Sequence, residues 1–295
     1  MPLTTVKTFT AIDYDLEATL TSGQAFRWRQ QQSSWLGIIG ERWVRLQNHA
    51  GQLTAEAVLP VDDWDWLTHY LQLDVDLAEV SKTFPNDEPM RAATAACRGL
   101  RLLRQDPWEC LASFILSSTK QIVQIRQIVS LLCERYGKPV RAPDGYPALN
   151  AFPTARRLAE LDEAALRECK MGFRARYLYA TAKKVESGEV ELAQLGRLPV
   201  EQAREQLLQF PGVGRKIADC VLLFAYGFQS AFPVDVWVMK ALRRLYFPRR
   251  RVNLARMHRF AAKHFGPNAG YAQQYLFHYM RTKQLPDRAP QPSPS

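Results

Sequence analysis

The chain has 295 residues, of which 47% are hydrophobic and 11% aromatic, enough for a large core and two or three domains and too ordered in composition for a disordered platform. Lys and Arg number 39 against 29 Asp and Glu, and the formal charge of +10 suits a polyanionic partner. No run is long and apolar enough to span a bilayer, and the opening MPLTTVKTFT lacks the apolar core of a secretory signal, so the expected location is cytoplasmic, on the nucleoid in a bacterium. The five cysteines, Cys97, Cys110, Cys133, Cys169 and Cys220, make no CxxC pair, which speaks against a zinc finger and against structural disulfides.

Over residues 1–90 short apolar runs carrying Phe26, Trp28, Trp35, Ile38, Trp43, Val44 and Leu46 are separated by QQQSS, GE and HAGQ. This spacing predicts a strand-and-turn meander with one face against a helix, and Gly23 reads as a turn residue before a strand. The stretch VDDWDWLTHYLQLDVDLAEV has a helical pattern around Trp64, Leu67, Tyr70 and Leu71. From Ala92 onward the chain reads as helical, with AATAACRGLRLL as one segment. Asp106, Pro107 and Glu109 make a start signal, with Asp106 as cap, Pro107 first in the helix and Glu109 three beyond the cap. QIVQIRQIVSLLCERYG continues at helix spacing, the proline-rich 137–153 is a loop, and helices follow over 154–169 and 175–186. Arg243, Arg244, Arg249, Arg250 and Arg251 form a basic helix end and loop. The expected organisation is α+β: an antiparallel β-rich domain over 1–90, a mostly helical region with a helix-hairpin-helix over 91–283, and a Pro- and Ser-rich disordered tail over 284–295.

The chemistry concentrates in FPGVGRKIADC, Phe210 to Cys220. An amphipathic segment leads in and a run rich in Ile, Val, Leu and Phe leads out, so the pattern is helix, tight hairpin, helix. Gly212 and Gly214 can take positive φ and leave amides uncovered toward a phosphate. Lys216 sits in the first turn of the second helix, where aligned amide dipoles disfavour an added positive charge, a setting suited to a nucleophilic amine. Asp235, in FPVDVW, is a natural N-cap for a helix running to about Tyr246, and it lies one helix and one return loop beyond the lysine. An amine able to form a Schiff base at a sugar C1′ and a carboxylate beside the developing charge form a coherent pair for breaking an N-glycosidic bond.

GVGRKIADC followed by PVDV resembles the catalytic core of the 8-oxoguanine DNA glycosylases of the helix-hairpin-helix superfamily, and the resemblance extends from Gly23 to about Met280. It implies Lys216 as the Schiff-base lysine, Asp235 as the catalytic aspartate and Cys220 as the cysteine on one face of the extruded base. It further implies the Gly23 carbonyl as the acceptor of the N7 proton that distinguishes 8-oxoguanine from guanine, Gln273 on the Watson-Crick edge, and Phe277 on the face opposite Cys220. Gln273 and Phe277, four apart, share a helix face. In CKMGFRARY the resemblance puts the cytosine-reading arginine at Arg174 and a wedging aromatic at Phe173.

Five positions depart from the family pattern. Where relatives carry SSNNN with an arginine shortly after, this chain has Thr119, Lys120 and Gln121, with Gln124 in the arginine's place. Trp237 stands where a phosphate-binding histidine is frequent. No four-cysteine iron-sulfur loop is present after Gly266, and no metal or other cofactor is expected. The implied activity is that of a monomeric bifunctional glycosylase that excises oxidised purine from double-stranded DNA and cleaves the abasic site. A glycosylase for alkylated purines, using water and the aspartate alone, and a noncatalytic DNA-binding module are the alternatives; Lys216 speaks against the first and Asp235 against the second.

Overall fold

The computed structural model describes residues 4–58, 61, 63–248 and 251–282. Among them β1 (Thr4–Thr10), β2 (Arg29–Gln31), β3 (Ser34–Ile39), β4 (Arg42–His49) and β5 (Gln52–Val58) form an antiparallel sheet in the order β1-β5-β4-β3-β2. Period-two patterning decides its faces: Leu53, Ala55 and Ala57 of β5 are fully buried while the residues between them are not. Between β4 and β5, Ala50 and Gly51 both take positive φ, +50° and +74°, as a two-residue hairpin turn requires. The buried face packs on α1 (Leu16–Thr21) and α2 (Asp65–Leu71), joining Trp28, Val44, Leu46 and Leu53 to Leu20, Leu67 and Leu71.

The predicted meander is present with two corrections. SGQAFRWRQ is strand only at its end, because α1 precedes it, and Gly23 follows a helix rather than opening a strand. The helical pattern over 61–80 resolves into α2 and α3 (Leu77–Lys82), since Gln72 turns left-handed at φ +55° and Asp76 starts a new helix by accepting from the Ala78 and Glu79 amides.

After α4 (Glu88–Ala96) the chain is not helical again until α5 (Pro107–Leu116), so AATAACRGLRLL is not one segment. Its second half is held to the first domain by Gln24, fully buried, whose amide accepts from Leu103 N at 2.7 Å and donates to Arg101 O at 2.8 Å. This pairing fixes the backbone beside Gly23. The start of α5 is as expected, with Asp106 accepting from Glu109 N at 2.8 Å and Pro107 first. The Glu109 carboxylate turns instead to Arg27, 3.2 Å away, tying α5 to the sheet.

α6 (Ile122–Tyr136) follows, and the proline-rich stretch holds two short strands, β6 (Pro139–Val140) and β7 (Leu149–Asn150). The helix expected over 154–169 is broken into α7 (Ala155–Ala159), α8 (Glu163–Leu166) and a wide turn, Arg167–Met171. Asp162 restarts the chain by accepting from Ala165 N at 2.7 Å, and Lys170 leaves the helix at φ +62°. The remaining helices are α9 (Arg174–Glu186), α10 (Leu192–Leu195), α11 (Val200–Leu208), α12 (Arg215–Val221), α13 (Val236–Leu245), α14 (Leu254–His264) and α15 (Ala269–Thr282). Leu111, Phe114, Ile128, Leu178, Val221 and Leu276 belong to their common core, which Ala18 and Phe26 join from the sheet side. The fold is the expected α+β arrangement. Arg249, Arg250 and the tail 284–295 lie outside the described residues. Among the described residues no helix is long and apolar enough to cross a membrane.

Candidate active site

The turn between α11 and α12 is built around Gly212. Its φ is +76°, and a Cβ there would stand 2.7 Å from the Tyr177 ring on α9, so both backbone sign and space require glycine. Gly214 caps α12 in an extended conformation at φ −96°, so of the two hairpin glycines only Gly212 takes the positive φ expected of both, and nothing lies within 4 Å of where the Gly214 Cβ would be. Beneath the turn, buried Arg204 of α11 donates through Nε to the Asp219 carboxylate of α12 at 2.7 Å. Burial pushes Asp219 above the ordinary carboxylate range, against the pull of Arg204 and Arg215. The pair joins the two helices at the centre of a small network in which Arg204 also meets Glu201 and Arg215 Nε stands 3.7 Å from Asp219.

Joined in this way, α12 directs Lys216 at the end of α5. Its Nζ donates to Ser117 Oγ at 3.2 Å and stands 5.2 Å from the centroid of the Phe114 ring. Ser117 Oγ in turn donates to the Phe114 carbonyl at 2.7 Å, so the hydroxyl is oriented to accept from the lysine. Asp235 is the N-cap of α13, its Oδ1 accepting from Val238 N at 2.8 Å. The same residue lines the inner pocket: burial raises its carboxyl above the ordinary range, and the Val238 amide and Lys216 pull it back.

Lys216 and Asp235 border an inner pocket of about 50 Å³ together with Gly23, Cys220, Gln273 and Phe277. Cys220 is one turn beyond Lys216, and burial pushes its thiol up to about 12, so it is a neutral wall at pH 7. The Oε1 of Gln273 is buried and has no hydrogen-bond partner among the described residues, an acceptor whose desolvation only a ligand or water would offset. Gly23 forms the facing wall at φ +82°, and a Cβ on it would meet Ile122 Cδ1 at 2.8 Å and Phe277 Cε1 at 3.5 Å. The six residues come from four segments, and only the fold brings them together. Phe114 and Ser117 complete the amine's surroundings and were not singled out from sequence; Phe114 reads as core, and no spacing rule marks Ser117.

The pocket adjoins a cleft of about 730 Å³ whose lining includes Thr119, Lys120, Gln121 and Trp237. Thr119 takes φ +57°, an outlier for a β-branched residue, and its hydroxyl accepts from Arg174. Arg174 is only 3% exposed; it also donates to the Ser118 carbonyl and stacks 4.4 Å over the Phe173 ring, which is 48% exposed. Gln124 does not line the cleft, and its Oε1 accepts from Gln121 N at 3.1 Å at the start of α6. Trp237 is 39% exposed with Lys240 Nζ 5.0 Å over its ring, beside exposed Val236 and Leu254. Gly212, Gly214, Phe173 and Arg174 are outside the lining of both cavities. Among the described residues no three His, Cys, Asp or Glu side chains converge as a metal-ligand set.

Residues 8–111 match the family described as 8-oxoguanine DNA glycosylase, N-terminal domain, and residues 112–265 match the HhH-GPD superfamily base excision DNA repair proteins. The chain is 29% identical to a probable N-glycosylase/DNA lyase of Methanothermobacter thermautotrophicus, over 94% of this chain and 96% of that one. It is 32% identical to the N-glycosylase/DNA lyase of Saccharomyces cerevisiae, over 89% and 82%. Among solved structures, the Clostridium acetobutylicum 8-oxoguanine glycosylase/lyase in complex with double-stranded DNA containing cytosine opposite 8-oxoG superposes with a TM-score of 0.88. It is 32% identical, with 97% of this chain and 100% of that chain covered.

Proposed function

The chain belongs to the HhH-GPD superfamily of base excision DNA repair proteins, with the N-terminal domain of the 8-oxoguanine DNA glycosylases, and from that premise we propose how its inner pocket works. The activity is that of a bifunctional 8-oxoguanine DNA glycosylase and AP lyase on double-stranded DNA. The observation that carries the assignment of residues is that Lys216 and Asp235 border one pocket with Gly23, Cys220, Gln273 and Phe277.

The damaged nucleotide turns out of the duplex, and its base lies between Cys220 and Phe277. Gly23 offers its carbonyl to N7–H, and Gln273 meets the Watson-Crick edge. The Lys216 amine attacks C1′; the C1′–N9 bond breaks and its electron pair leaves with the purine, while the Asp235 carboxylate offsets the positive charge developing on the sugar. Loss of a proton from nitrogen leaves a cyclic aminal; the nitrogen lone pair then opens the sugar ring, the C1′–O4′ bond breaking as O4′ takes up a proton, to give the Schiff base, and removal of a C2′ proton expels the 3′ phosphate by β-elimination. Gly212 and Gly214 present backbone toward the phosphates, and Trp237 meets the strand through its ring. The protein acts as a monomer in the cytoplasm.

The test is borohydride trapping on a duplex carrying 8-oxoguanine in excess EDTA. A covalent protein–DNA adduct is expected, since a Schiff base requires only the amine. Base release with no adduct would mean that water, not Lys216, attacks.

The opposing base should be read weakly. Of the family's reading positions Arg174 is retained, and its guanidinium is engaged by Thr119 and Ser118, while Gln124 is held at the start of α6. A bidentate base contact carries about 1–3 kcal/mol of discrimination. Single-turnover release on four duplexes differing only in the opposing base, at one salt concentration, should therefore favour cytosine by less than about 100-fold, the size of roughly two such contacts. Arg174→Ala should flatten the preference further. A wild-type preference of 100-fold or more that survives Arg174→Ala would refute both the reading arginine and the consequence drawn from Thr119 and Gln124.

A further inference from the structure

Arg281, about two helical turns beyond Gln274, whose Nε2 donates to the Ser22 carbonyl at 3.1 Å, ties together two walls of the inner pocket. It lies four residues beyond Phe277 on α15, on the face that also carries Gln273. Its guanidinium stands 5.6 Å from the Phe277 ring centroid, and one amino group donates to the Thr21 carbonyl at 2.7 Å, at the end of α1 and two residues before Gly23. The position of a Cβ on Gly23 is 3.6 Å from Arg281 Nη1 and 3.5 Å from Phe277 Cε1. One side chain thus touches the ring assigned to the base face and the backbone leading to the carbonyl assigned to N7–H.

The environment is an expensive one for a cation. Burial and then the nearby Arg126 of α6 both disfavour the charge on Arg281, and among the described residues no carboxylate lies within salt-bridge distance of it. A leucine or methionine would fill the same space without desolvating a guanidinium. What the arginine adds is a planar cation against the Phe277 ring and a donor fixed on the Thr21 carbonyl, both of which set the gap between the two walls.

We propose that Arg281 is a specificity-determining positioning residue, which holds Phe277 and the Gly23 backbone at the spacing that grips an oxidised purine, without touching the reacting atoms. The inference rests on the assignment of the inner pocket to the base. Its consequence is selective: Arg281 matters where there is a base to grip and not where the base is already gone.

The experiment compares wild type, Arg281→Met and Arg281→Lys on two duplexes identical except that one carries 8-oxoguanine and the other a preformed abasic site. For Arg281→Met, base release at subsaturating protein should fall about 10-fold, the scale of a desolvated cation–π contact with its hydrogen bond, and the preference for 8-oxoguanine over guanine should shrink with it. Cleavage at the abasic site should change less than about twofold, well inside one such contact. Arg281→Lys, which keeps the cation but not the fork, should recover part of the loss, and it carries the comparison if the Met variant is unstable. Equal losses on both duplexes would overturn the proposal in favour of a general structural role, and no loss on either would overturn it outright. Failure of wild type to form an adduct on the abasic duplex would instead overturn the Schiff-base assignment.

Discussion

Lys216→Gln is expected to bind 8-oxoguanine duplex and to do nothing further to it. Single-turnover base release should fall by about 10⁴-fold or more, the scale of removing a group that acts as covalent nucleophile, and the borohydride adduct should vanish. Glutamine is a good helix former and can still donate to Ser117 Oγ, so α12 and its Arg204–Asp219 pair are left in place. What is lost is the basic amine alone. Circular dichroism and duplex affinity should match wild type, and a variant that releases base at the wild-type rate would remove Lys216 from the mechanism.

Asp235→Asn should retain the fold and lose the rate. Asparagine caps a helix as well as aspartate does, so the bond to Val238 N can persist and the melting temperature should move little. Removal of one electrostatic contributor to a transition state costs about 10²–10³-fold in rate. The pH profile separates the two roles. In the proposed mechanism catalysis requires the ionised carboxylate, and burial raises the group above its ordinary range, so release should fall as pH drops through a value above that of an ordinary carboxylate. The Asn variant should lack this acid limb. Stability has the opposite sign: a raised folded-state value favours the folded protein below the unfolded value, and that contribution is lost as pH rises through the folded one. At pH 7 the Asn variant should accordingly be no less stable than wild type in a thermal melt. A folded Asn variant that releases base at the wild-type rate would leave the cap as the whole of the residue's role.

Local patterns were good guides wherever a rule of short range decides the structure. Asp106, Pro107 and Glu109 mark the start of α5, and Asp235 the start of α13, because a cap bond closes over three residues. The errors fall where one polar residue interrupts an apolar period. Gln72, Asp76, Asp162 and Lys170 each break a helix that hydrophobic spacing alone would continue, through a left-handed turn or a new cap. Gly23 looked like a strand turn because α1 before it is only six residues long, too short for its period to register.

The hairpin glycines, the lysine in the first helical turn and the capping aspartate were legible along the chain, since each depends on its own neighbours, and so was the face shared by Gln273 and Phe277. Contacts between distant segments were not. Ser117 meets Lys216 across 99 residues, Arg174 meets Thr119 across 55, and Arg281 meets Thr21 across 260. Such pairs have no period and no spacing of their own; they exist because Gln24 ties residues 101–103 beside Gly23, Arg204 and Asp219 join the hairpin helices, and α15, packed in the helical core, reaches Ser22 and Thr21 through Gln274 and Arg281. Backbone geometry over a few residues places each reactive group on its element, but the enclosure that desolvates Asp235 and Cys220 comes only from packing those elements together.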